Sequence, residues 1–72
     1  MAFVRLTEVS DGEFYINVDK IIFLSENRSA EDQTVIKYGS RHDECLVVEG
    51  RVEDVVVKIE AATLQAARRD DG

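Results

Sequence analysis

Apolar residues recur at spacings of three and four in one stretch only, from Val52 to Arg69 (VEDVVVKIEAATLQAARR). Val52, Val55, Val56, Ile59, Ala62, Thr63 and Ala66 fall on one helix face, with Glu53, Asp54, Lys58 and Glu60 pointing elsewhere. Glu53 and Asp54 place negative charge in the first turn, and Arg68 and Arg69 place positive charge in the last, as the helix dipole favours. Glu49 and Gly50 offer only a weak cap. A second, thinner apolar row, Val57, Ala61 and Leu64, lies away from the main stripe. A helix docked on a single sheet needs one stripe, so this row marks a candidate contact with another subunit.

The chain before the helix reads as short strands. Phe3 to Glu8 alternates, with Phe3, Arg5 and Thr7 on one side and Val4, Leu6 and Glu8 on the other. Asp11-Gly12 then gives a hairpin signal, because the turn needs a residue at positive φ. Glu13 to Asn17 is the second strand. Asn17-Val18-Asp19-Lys20 bends the chain, with Asn17 and Asp19 suited to hold the turn through side-chain to backbone hydrogen bonds. Ile21 to Glu26 is a third strand whose four successive apolar residues predict a central position covered on both faces. One face would meet the helix and the other a second copy, which makes Ile21 and Phe23 candidate interface residues alongside Val57, Ala61 and Leu64. Asn27 to Gln33 (NRSAEDQ) is the most polar stretch and predicts a mobile connection. Thr34 to Tyr38 and Glu44 to Val48 are the fourth and fifth strands, and Gly50 marks the crossing into the helix.

These elements predict an α+β fold in one domain spanning residues 1–72. A small antiparallel β-meander of four to five strands, over about residues 3–48, packs against one C-terminal amphipathic helix over about residues 52–69. With 72 residues and no proline, the chain shows no internal repeat and no domain boundary. A chain of this size buries only about 60 % of its unfolded surface, so its own core is marginal. One cysteine, Cys45, and one histidine, His42, leave no disulfide framework or metal cluster to compensate. Association with copies of itself or with a partner is the remaining common device, and a homo-oligomer is expected.

Nine Lys and Arg against fifteen Asp and Glu give a net charge of -6. Phosphate neutralisation supplies most nucleic-acid affinity, so the charge argues against nucleic acid as a partner. It also disfavours an anionic membrane surface and suits a basic protein partner. The first ten residues carry no long apolar run, so no signal peptide is expected, and no stretch of about 18 apolar residues predicts a membrane span. The single cysteine fits a reducing, cytoplasmic setting.

Candidate chemistry is sparse. Arg41-His42-Asp43-Glu44 is the one cluster with catalytic residue types. His42, Asp43 and Cys45 are ligand types for zinc, but neighbouring strand residues point to opposite faces, so the cluster reads as a solvated turn. Cys45, beside Leu46, Val47 and Val48, predicts a buried, inert thiol. The four glycines stand alone at positions 12, 39, 50 and 72, so no phosphate-binding loop is formed. No cofactor and no enzyme activity are expected. Tyr15, Phe23 and Tyr38 keep one rival function in view, a nucleic-acid-binding accessory protein of a phage or mobile element that stacks bases on aromatic side chains. Arg5, Lys20, Lys37, Arg41 and Arg51 would have to cluster in space to support it.

The order and spacing of several short segments resemble the FlbD-like family of small bacterial flagellar and swarming motility proteins. They are Leu6-Thr7, Asp11-Gly12, Phe14-Tyr15-Ile16-Asn17, Ile21-Ile22, Thr34-Val35-Ile36, Gly39, Val47-Val48-Glu49, Val52-Glu53-Asp54-Val55 and Lys58-Ile59. Ala30 to Gln33 stands where the family has a Pro-containing turn, Ser40 to Glu44 lengthens the family's glycine turn, and the helix runs on past Ile59. The resemblance implies a bacterial, cytoplasmic, non-enzymatic accessory protein with no catalytic residues to carry over.

Overall fold

A computed structural model describes residues 2–70, with side chains through residue 67. Strands β1 (Phe3–Glu8), β2 (Gly12–Asn17), β3 (Phe23–Asn27), β4 (Ala30–Lys37) and β5 (Cys45–Glu49) precede helix α1 (Val52–Asp70), and a single 3₁₀ turn, Val18–Lys20, separates β2 from β3. All strand pairs are antiparallel, in the order β2-β1-β5-β4-β3. The α+β architecture is the one the sequence predicts: an antiparallel sheet against one C-terminal helix. The sheet consists of a hairpin, β1–β2, laid beside a three-stranded meander, β3–β4–β5. The charged end from Arg68 to Gly72, with the favourable dipole contact expected of Arg68 and Arg69, lies outside the described side chains.

The β1–β2 hairpin closes through Val9-Ser10-Asp11 between the paired residues Glu8 and Gly12. Gly12 sits at φ 89°, the conformation a three-residue hairpin loop needs and a side chain disfavours. The register pairs Val4 with Ile16 and Leu6 with Phe14, so these four share the inner face, while Arg5 and Tyr15 pair on the outer one. In the meander, Thr34 and Ile36 lie opposite Val48 and Leu46 on the inner face, and Val35 and Lys37 lie opposite Val47 and Cys45 on the outer.

Two strand expectations are corrected. The third strand lies at the edge of the sheet and pairs only with β4; the central strand is β5. The four-aliphatic run spans the entry to β3 instead of its interior. Ile21 and Leu24 turn toward the core, whereas Ile22 and Phe23 are exposed. The polar stretch Asn27 to Gln33 is mostly strand, because β3 runs to Asn27 and β4 starts at Ala30. Asn27 makes this possible: its Oδ1 accepts from the Ser29 N–H at 3.1 Å, and its Nδ2 donates to Gln33 Oε1 at 2.8 Å. The polarity of Glu31 and Asp32 reflects their exposure, at the point where the β3–β4 register shifts between Glu26 and Asn27.

The sheet is rolled, as its own registers require. Asn17 lies opposite Phe3, while Phe23 lies opposite Lys37, which lies opposite Cys45. β1 meets β5 at Glu8 and Val48, with Val9 N–H donating to the Val47 carbonyl at 3.0 Å, so Phe3 and Cys45 run away from that crossing in opposite directions. In a flat sheet Asn17 and Phe23 would sit roughly 30 Å apart. The six peptide steps between them reach at most about 20 Å. Rolling brings the two edges within reach. The connection is pinned at both ends, by Val18 N–H to the Ala2 carbonyl at 2.9 Å and by Ile22 N–H to the Lys37 carbonyl at 2.8 Å. Asn17 Oδ1 accepts from the Asp19 N–H at 3.0 Å, the turn-holding role its type suggests.

The roll encloses Val4, Leu6, Ile36 and Val48, and Val55 of the helix closes the core. Ile59 and Ala62 pack behind Val55, one and two turns on. Of the expected stripe, Val52, Val56 and Ala66 are also half-buried. Thr63 is exposed and donates its hydroxyl to the Ile59 carbonyl at 2.9 Å. Gly50, at φ 108°, turns the chain out of β5, and the Arg51 carbonyl accepts from the Val55 N–H at 3.0 Å to start the helix.

Candidate interaction surfaces

Among the apolar surfaces this packing leaves open, two differ in shape and charge, while Phe3, Val9, Ile22 and Phe23 are exposed outside both. The first is a ridge on α1. Val57, Ala61 and Leu64 lie on the side of the helix opposite Val55, Ile59 and Ala62, since residues three and four apart stack on one face. Val57 is 63 % exposed and Leu64 55 %, and Ala61 is exposed with them. Among the described residues, Glu53, Asp54 and Glu60 flank the ridge, with Lys58 the one cation beside it. All are exposed.

The second is a shallow groove lined by Phe14, Tyr15, Ile16, Lys20, Tyr38 and Leu46. Phe14 and Ile16 come from β2, Leu46 from β5, and Lys20 and Tyr38 from the segments at the strand ends. The floor is apolar and half-buried, whereas Tyr15 and Lys20 are well exposed at the rim. Lys20 is the only charged residue in the lining. Its six residues are scattered between positions 14 and 46, and the rolled sheet brings them together. Tyr15 and Tyr38 stood out in the sequence as aromatic residues in strands, but nothing in the local pattern pairs them with Lys20.

Of the five interface residues expected from the sequence, Val57, Ala61 and Leu64 form the ridge. Phe23 is 52 % exposed on the edge strand. Ile21 differs: it is half-buried and packs against the core.

The remaining constellations are placed as follows. His42 and Asp43 are exposed in the turn before β5. No group of three or more His, Cys, Asp or Glu side chains is arranged to hold a metal among the described residues. Cys45 corrects the expectation of a buried thiol: it is exposed, because Leu46 and Val48 take the inner positions of β5 and alternation turns Cys45 outward, across from Lys37. Two of the basic residues meet, the Lys37 ammonium donating to the Arg41 carbonyl, but the arginines are drawn to carboxylates. Arg5 pairs with Glu13, and Arg41 Nε lies 3.7 Å from Asp43. Arg51 shares a small hollow with Glu26, Glu31 and Glu53. The Glu13 hydrogen bond and charge raise the Arg5 pKa above the ordinary arginine value. No helix among the described residues is long and apolar enough to cross a membrane.

No family model matches this chain, and no curated protein or solved structure matches it.

Proposed function

We propose that this protein is a small, non-enzymatic interaction and regulatory module that self-associates and binds a further protein through contacts of its surface. One observation carries the reading. Among the described residues, five hydrophobic side chains are buried in the core, while eight large ones are exposed. A core this small is marginal for an independent fold, and apolar surface on both helix and sheet is what an association interface requires. The acidic net charge suits a basic protein partner. The FlbD-like resemblance gives the context: a bacterial, cytoplasmic accessory protein with a role in motility. Sedimentation equilibrium of the full chain over a wide concentration range tests the reading. Growth of mass above the monomer supports it, and a monomer at every concentration overturns it.

A nucleic-acid-binding accessory role draws on one feature, the shared groove of Tyr15, Tyr38 and Lys20. The dispersed and acid-paired arginines weigh against it. A titration with mixed DNA and RNA at low salt, read by a mobility shift, separates the two. Salt-sensitive binding would favour nucleic acid.

A further inference from the structure

We infer that the helix ridge of one copy seats in the groove of the next, so that self-association runs head to tail. This rests on the self-association proposed above and names the two surfaces that meet.

Among the described residues the ridge has no partner within its own chain. Its apolar residues, Val57, Ala61 and Leu64, face away from the core, and the described side chains that edge them are three carboxylates and one ammonium. That charge opposes a ridge meeting its own copy in parallel. A two-fold axis places equivalent residues against each other. Parallel helices would set Asp54 beside Asp54 of the second copy. Like charges set side by side repel, which disfavours a pair of that kind.

The groove has the complementary character. Its floor of Phe14, Ile16 and Leu46 offers apolar surface to Val57 and Leu64, and its single charge is the ammonium of Lys20. Two tyrosine hydroxyls at the rim add hydrogen-bond donors for carboxylates such as Glu53 and Glu60. An amphipathic helix laid into an apolar groove is a recurrent mode of recognition, with anchors spaced as Val57, Ala61 and Leu64 are. Ala61, between the two larger anchors, lets the helix backbone approach the groove closely. Because ridge and groove are different surfaces of one chain, the contact is heterologous, and repetition gives a closed ring or an open chain.

Complementary variants test it. Leu64→Asp disables the ridge, and Lys20→Glu with Tyr38→Asp disables the groove. All three positions are exposed, so circular dichroism is expected to show an unchanged fold; if either variant unfolds, Val57→Asp and Tyr15→Asp replace them. Each variant alone is expected to sediment as a monomer at concentrations where the wild type associates. Mixed in equal amounts, they are expected to form a species of twice the monomer mass and no larger, since each supplies one intact surface. A groove variant that still associates like the wild type overturns the head-to-tail contact while leaving self-association standing. So does a mixture that stays monomeric. A wild type that is monomeric throughout removes both.

Discussion

The Thr34 hydroxyl donates to the carbonyl oxygen of Gly50 at 2.8 Å, joining β4 to the corner where the chain leaves the sheet for the helix. Thr34 is fully buried, and it is the buried polar side chain of the core. The Gly50 N–H donates to the Asp32 carbonyl at 2.7 Å, so both backbone groups of this glycine are tied to β4. The left-handed φ of Gly50 and its two hydrogen bonds to β4 together fix where Val55 enters the core.

Thr34→Val keeps the shape of the side chain and leaves the Gly50 carbonyl without its partner. The expected loss is about 1–3 kcal/mol, the cost of a buried unsatisfied acceptor. Thr34→Ser retains the donor and is expected to lose less. Urea denaturation of the two variants against the wild type checks the order.

The core and the ridge respond differently to truncation. Ile36→Ala removes a fully buried side chain and is expected to cost about 2–5 kcal/mol. Leu64→Ala trims a side chain that stands in solvent on the helix and is expected to change the monomer's stability by less than about 0.5 kcal/mol. Thermal melts at low protein concentration, where association is weakest, measure both.

Cys45 is exposed on the outer face of the sheet. A disulfide-exchange reagent is expected to titrate one thiol in the folded protein at a rate close to that in denaturant. Cys45→Ser is expected to leave the melting temperature unchanged.

The Arg5–Glu13 pair is expected to contribute nothing to the pH dependence of stability near neutrality. Its arginine pKa is raised by the Glu13 hydrogen bond, so any stabilisation is fully present below the unfolded arginine pKa and is lost only as pH rises through the higher folded value. Both side chains are more than half exposed, which screens the pair. Stability profiles of wild type and Arg5→Gln over about pH 6 to 10 are therefore expected to run parallel.

The helix and its two faces were legible in the sequence because a period of 3.6 separates Val55, Ile59 and Ala62 from Val57, Ala61 and Leu64 without reference to any other element. The β1–β2 hairpin was legible for a similar reason, since Asp11-Gly12 encodes its turn locally. The edge position of β3 was hidden. A run of four aliphatics looks the same at the mouth of an edge strand as at the centre of a sheet, and only the pairing of β5 with β1 decides between them. The extension of β4 into Ala30 to Gln33 was masked by residues chosen for solvent contact. Cys45 was misplaced by its apolar neighbours, although the alternation of β5 already assigns it and Leu46 to opposite faces. The groove was the least legible feature, because it exists only once the sheet rolls and brings Leu46 toward Phe14 and Ile16.

Sedimentation equilibrium of the wild-type chain from micromolar to millimolar concentration tests the central claim most directly. The account predicts a weight-average mass that rises with concentration above the 8.1 kDa of one chain. A mass fixed at that value throughout the series would contradict it and leave the exposed ridge and groove without the role assigned to them.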